Sequence, residues 1–194
     1  MSTVEIIYLV IVFSTSIFGL YFIIRDIIRG TTKPNLVTWF FWGLAPLVGS
    51  YLQLKAGAGL SALPVFMAGF FPVIIFILAL VRKNAHWKIT IFDIFCGVFS
   101  LVALILWVVT KRADISILFA ILSDGLAAIP TLIKSWKFPE TETALGYTPG
   151  LINNTLALFM VRSWTFSQYS FGIYFIVLNL TLILFITRKK IFKS

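Results

Sequence analysis

Seven apolar runs of bilayer-crossing length follow one another through this chain. They occupy residues 4–24, 35–54, 60–81, 86–109, 114–133, 145–161 and 166–187. A bilayer core is about 30 Å thick and takes about 20 helical residues to cross. A membrane strand would alternate polar and apolar residues over about ten positions, and these runs do not alternate. Backbone groups in lipid must be paired within the segment, so the runs are read as helices. The sixth is the shortest and is marked by Gly and Pro. The connections between them reach roughly a dozen residues at most, so no soluble domain or linker is expected.

Composition agrees. Of 194 residues, 60% are hydrophobic and 12% are charged, against roughly 25% charged in a soluble domain. The net charge is +9. The basic residues sit at the ends of apolar runs, which points to lipid headgroups and away from nucleic acid. No Lys or Arg precedes the first run, and it is long for a signal-peptide core, so it reads as a retained span.

Basic residues concentrate on cytoplasmic connections. The connections after runs 1, 3, 5 and 7 hold twelve: Arg25, Arg29, Lys33, Arg82, Lys83, Lys88, Lys134, Lys137, Arg188, Lys189, Lys190 and Lys193. The opposite side holds four: Lys55, Lys111, Arg112 and Arg162. The N-terminus is therefore expected outside and the C-terminus inside. Trp39, Trp42, Trp87, Trp107, Trp136 and Trp164 all fall near predicted helix ends, as an interfacial aromatic belt requires.

The chain carries a faint internal repeat. "RDIIRGTTKPNLVTWFFW" leads from run 1 into run 2, and "TLIKSWKFPETETALGY" leads from run 5 into run 6. "ALVRKN" closes run 3 and "FITRKK" closes run 7, at an offset of 106 to 108 residues. Residues 4–83 and 113–190 thus read as two three-helix units, with residues 84–112 as a linker helix. Three helices and one joiner return the chain to its starting side, so the units are parallel repeats. Such repeats place a substrate path at their interface.

The stretch "LAAIPTLIKSWKFPETETALGYTPGLINNTLALF" resembles the signature of the PQ-loop superfamily, and of SWEET-type transporters in particular. The matching features are Pro130, Thr131, Lys134, Lys137, Glu140, Thr141, Glu142 and Asn153 or Asn154. The resemblance implies a carrier of a small polar solute, whether sugar, amino acid or vitamin. It also implies gating roles for Pro46, Pro130 and Pro149. Asn179 fits the family's Asn in the last helix, while Val73 or a neighbour stands at the matching place in run 3. The family's Trp about one turn beyond the Asn has no counterpart in "NNTLALFM" or "LAPLVGSY"; Trp39 and Trp42 lie one or two turns nearer the basic end.

Several polar residues fall at membrane depth. Asp124 lies about ten residues into its helix, roughly 15 Å deep at 1.5 Å per residue. A carboxylate there costs about 2.5–3.5 kcal/mol on insertion scales. Ala120, Ile121, Ala127 and Ala128 share its face. It is either a substrate-amine or proton site, or a structural partner of Asn153, Asn154 or a helix-1 hydroxyl. Asn153, Asn154 and Asn179 offer amides suited to hydroxyls or carboxylates, or to gluing helices together. Neighbours on a helix diverge by about 100°, so Asn153 and Asn154 are not both expected to face one cavity. Ser14, Thr15 and Ser16 are expected to bond their own i−4 carbonyls more often than to line a site. Asp93 reads as a carboxylate favoured by its helix dipole, and Asp26 as a headgroup-level partner of Arg25 and Arg29. Glu140 and Glu142 are placed in a solvated turn.

Enzymatic chemistry is not indicated. There is no Gly-rich phosphate loop, HExxH or GxSxG, and Cys96 and His86 are each alone of their type, so no cofactor or metal is expected. The expected function is alternating-access transport in a cell membrane, with a bacterial inner membrane suggested by the compact chain. The alternative is a non-transporting PQ-loop-type receptor or assembly partner. Whether the chain acts alone or as a homo-oligomer is left open.

Overall fold

The computed structural model describes residues 2–82, 87–110 and 113–191, without the side chains of 107, 108, 113, 190 and 191. The expectations for His86, Lys83, Lys111, Arg112 and Lys193, and for the Trp107 and Lys190 side chains, lie outside these. The described residues form seven α-helices and two short 3-10 turns, with no strand: α1 Thr3–Ile28, α2 Leu36–Lys55, α3 Leu63–Val81, α4 Ile91–Val109, α5 Ala113–Lys137, α6 Ala144–Leu158 and α7 Phe166–Ile191.

Local chemistry sets the helix ends. Ser2 and Glu5 form a capping box at α1, and Asn35 accepts from Val37 N and Thr38 N at α2. Thr90 and Asp93 form a second capping box at α4. Asp93 thus satisfies the Thr90 backbone N–H at 2.7 Å, a contact more specific than the dipole interaction expected from its position. The same box starts α4 at Ile91, five residues later than the apolar run suggested.

Four helices are long and apolar enough to cross a bilayer, over Thr3–Ile28, Gly59–Val81, Asp114–Lys137 and Phe166–Lys189. This marks an integral membrane protein. Burial agrees with a lipid surround. Large apolar side chains of α1 (Val4, Val10, Ile17) and α4 (Ile91, Phe95, Phe99) are half or more exposed, whereas the interior holds Thr38, Ser100, Ser123, Asp124, Thr131 and Asn154 at 1% exposure or less. Outward apolar surface on this scale is unstable in water.

α2 and α6 are the inner helices. α2 packs on α3 and α5 and touches α4; α6 packs on α7 and α1 and touches α3. Covered on several sides, they need fewer lipid-facing groups, which fits the modest apolar run of the 15-residue α6. α4 lies at the edge, mainly against α5.

Two crossings depend on close approach. At α2–α5, Thr38 Oγ1 donates to Ala127 O at 2.7 Å and accepts from Thr131 Oγ1 at 3.0 Å. At α6–α1, Gly146 lies against Ile23, and Gly19 lies against Pro149 and the Gly146 carbonyl, with no room for a Cβ at either glycine.

The basic connections gather at one end. Lys33 N donates to Thr141 O, Trp87 N donates to Pro34 O, and Lys189 lies 3.9 Å from Glu140. At the other end Tyr8 donates to Leu60 O and Gln168 Nε2 to Ala56 O.

Candidate functional site

A cavity of about 110 Å³ lies between α1, α2, α3, α6 and α7. Most of its wall is apolar, including Leu20, Met67, Phe71, Ile75 and Phe175. Its polar wall is Ser16, Trp39, Trp42, Tyr147, Asn153, Asn154 and Asn179. Among the described residues no Asp, Glu, Lys, Arg or His lines it. A cavity of roughly 150 Å³ holds one benzene, so this one suits a single small solute.

Asn153, Asn154 and Asn179 all reach the cavity, and each is held differently. Asn153 is tied to α1: its Nδ2 donates to Ser16 Oγ at 2.9 Å and Val12 O at 3.3 Å, and its Oδ1 accepts from Thr15 Oγ1 at 2.7 Å. Thr15 also bonds its own i−4 carbonyl, Ile11 O, as expected. Asn154 donates to Gly150 O at 2.8 Å, and its buried Oδ1 has no partner. Asn179 donates to Phe175 O at 2.8 Å. Gly150 opposes it so closely that a Cβ there would fall 2.5 Å from Asn179 Oδ1. The 100° divergence thus separates the roles of the two neighbouring amides without removing either from the wall.

The two inner tryptophans do not belong to an interfacial belt. Trp39 and Trp42 are 4% and 6% exposed, and neither indole N–H has a partner. Their rings meet edge to face at 5.4 Å, and Trp42 meets Tyr147 likewise at 6.2 Å. In sequence they stand near a helix start, but both line the inner cavity, and Trp42 meets Tyr147 of α6 there. Trp136 and Trp164 are exposed, at 51% and 66%, as an interfacial position requires.

Asp124 lies away from this cavity. It is fully buried, and its Oδ2 accepts from Tyr174 Oη at 2.6 Å across the α5–α7 contact. Its Oδ1 has no partner. Asn153, Asn154 and the helix-1 hydroxyls, its expected structural partners, bond elsewhere. Ala120, Ala127 and Ala128 are fully buried, so the small face around Asp124 serves close helix packing.

The prolines split in position. Pro46, Pro72, Pro130 and Pro149 all lie inside helices. Pro72 and Pro149 line the cavity, while Pro46 and Pro130 do not.

Below the cavity, towards the basic end, Glu142 departs from its expected place in a solvated turn. It pairs with Lys134 at 2.6 Å, with the two side chains 1% and 2% exposed. Tyr147 Oη donates to Glu142 Oε2 at 2.8 Å. Lys134 also donates to the Lys33 carbonyl and lies 5.4 Å over the Trp87 ring. Glu140, two residues earlier, is exposed as expected. Asp26 pairs with Arg25 at 2.8 Å, and it also accepts from Thr143 at 2.9 Å.

Trp39 Nε1, Trp42 Nε1 and Asn154 Oδ1 thus belong to wall residues and are buried without a hydrogen-bond partner among the described residues. Among the described residues no three His, Cys, Asp or Glu side chains cluster as metal ligands. Compared with known proteins, the chain matches no protein-family model, no curated protein and no solved structure.

Proposed function

We propose that this protein is a multi-pass carrier of a small, uncharged polar solute, working by alternating access between two three-helix units of the PQ-loop, SWEET-like kind. The observation that carries the reading is the polar, uncharged part of the cavity wall: Trp39, Trp42, Tyr147, Asn153, Asn154 and Asn179 line it with no charged side chain among the described residues, and the Trp39 and Trp42 N–H groups and Asn154 Oδ1 are buried without a partner there. A hydroxyl both donates and accepts, so it answers both kinds of unused group. An amine or carboxylate would meet no counter-charge there.

The two-unit arrangement is supported by contacts that repeat along the chain. Thr38 meets Thr131, and Gly146 meets Ile23; 146 − 38 and 131 − 23 are both 108. Gly43 packs on Val73, and Gly150 on Asn179, at offsets of 107 and 106. Val73 is thus the positional counterpart of Asn179, and the polar wall is built asymmetrically. The proposed orientation puts the basic end in the cytoplasm, the N-terminus outside, and all seven helices across a cell membrane, proposed to be a bacterial inner membrane.

The test is a thermal-shift screen of purified protein against polyols, sugars, amino acids, vitamins and organic acids. A ligand at 100 times its dissociation constant stabilises by about 2.7 kcal/mol. We expect an uncharged hydroxylated compound to do so. Asn154→Ala and Trp39→Phe are expected to cut affinity about tenfold, equal to about 1.4 kcal/mol, with unliganded stability near that of the parent. A response confined to charged compounds, or unaltered in both variants, would overturn the site. Silence across the panel favours the receptor or assembly-partner reading.

A further inference from the structure

We infer that the basic end is held shut by a buried chain of contacts, Tyr147–Glu142–Lys134–Lys33, and that Tyr147 is the residue by which the solute cavity controls that closure. This rests on the carrier reading and adds the regulation of the same site. Tyr147 touches both systems at once. Its ring stands in the cavity wall against Trp42, and its hydroxyl donates to Glu142 at 2.8 Å. Glu142 in turn holds Lys134 at 2.6 Å, and Lys134 reaches the Lys33 carbonyl in the turn before α2.

The chain crosses between the two proposed units. Lys134 closes α5, whereas Lys33 belongs to the turn after α1. Three further bonds tie the end of α1 and the turn after it to the α5–α6 turn. Lys33 N donates to Thr141 O at 3.1 Å, Thr143 Oγ1 donates to Asp26 Oδ2 at 2.9 Å, and the Thr32 and Thr143 hydroxyls share a hydrogen bond. A path from the cavity to the basic end must part these turns.

Charge burial makes the closure switchable. Lys134 and Glu142 are shielded from solvent, so each is tolerated only while the other and its hydrogen-bond partners stay in place. A solute hydroxyl that takes the Tyr147 hydrogen bond leaves Glu142 with one partner fewer. That loss falls on the contact that holds the two turns together.

The test needs no solute. In a Cys96→Ser background, Ala68→Cys places one thiol in the cavity wall. Its labelling by a membrane-impermeant maleimide is timed from each face, in right-side-out and inside-out vesicles. We expect slow labelling from the basic face in the parent, and labelling at least tenfold faster in Tyr147→Phe. The neutral pair Lys134→Met with Glu142→Gln should behave the same way, because it leaves no buried charge unpaired. Labelling from the opposite face should stay unchanged. Adding Thr32→Cys and Thr143→Cys to Tyr147→Phe should restore slow labelling on oxidation and release it on reduction. Equal basic-face rates in the parent and both variants, or equal increases from both faces, would overturn the inference. Neither result depends on whether the solute screen finds a ligand, so failure of the closure and failure of the carrier reading are told apart.

Discussion

At the residue scale, Asp124 carries the sharpest separation between cost and role. Its depth was legible from its place in an apolar run, but its partner was not. Tyr174 lies 50 residues away, and only the packing of α5 on α7 brings the two together. Asp124→Asn keeps an acceptor for the Tyr174 hydroxyl and should shift stability by less than about 1 kcal/mol. Tyr174→Phe strands a buried carboxyl and should cost about 1–3 kcal/mol. At about 2–4 °C per kcal/mol for a chain of this size, the second variant should melt measurably earlier. Both should still respond to the solute that stabilises the parent, because Asp124 lies outside the cavity. If Asp124→Asn stays folded and loses that response, Asp124 rejoins the solute site.

The tryptophans and Glu142 make the same point from the other side. Trp39 and Trp42 stand near a helix start, where sequence position favours the membrane interface. Glu142 stands in a polar turn, where it reads as solvated. Trp39 and Trp42 pack into the core beside residues of other helices, such as Tyr147, and the turn that holds Glu142 is bound to the α1–α2 turn through Lys33 N to Thr141 O. Local hydropathy carries no record of such pairing. One signal was present: Trp39, Trp42 and Tyr147 fall on the cavity-side turns of α2 and α6, where no charged residue among those described lines the cavity.

At the scale of elements, hydropathy found all seven helices because lipid selects apolar surface along whole segments. It placed their ends less well, since α4 begins at its Thr90 cap and α5 runs on to Lys137. The α6–α1 contact is where an element holds the site in place. Asn153 spends its whole amide on α1, through Thr15, Ser16 and the Val12 carbonyl. Interhelical hydrogen bonds in membranes average about 0.6 kcal/mol each, so Asn153→Ala should cost about 2 kcal/mol and loosen α6 from α1. Asn154→Ala, one residue on, loses only a bond within its own helix and should cost less. Thermal midpoints of the two variants in one detergent check the order. Asn154→Ala melting below Asn153→Ala would mean that α6 is turned differently about its axis. Pro149 also belongs to this contact, since it packs on Gly19. Pro149→Ala therefore changes both a missing backbone bond and a helix crossing, and is a poor isolated probe of hinging.

At the scale of the whole molecule, the repeat, the number of passes and the orientation stand or fall together. Two parallel three-helix units need an odd joiner, so α4 must cross, and the chain must end on the side opposite its start. In the proposed orientation the twelve basic residues face the cytoplasm and the four face outward. Lys55, at the end of α2, and Lys137, at the end of α5, are both exposed and lie on opposite sides in this scheme. Each can be replaced by cysteine in a Cys96→Ser background. The balance moves to twelve against three, or to eleven against four, so the expected orientation holds in both. In intact cells an impermeant maleimide should label Lys55→Cys at once and Lys137→Cys only after the membrane is opened. Labelling of both from outside would remove an odd number of crossings between them, and with it the parallel repeat. Labelling of Lys137→Cys alone would keep the repeat and invert the chain, turning the basic closure to the outer face. The cavity would then first meet its solute on the side where Tyr147 holds it shut.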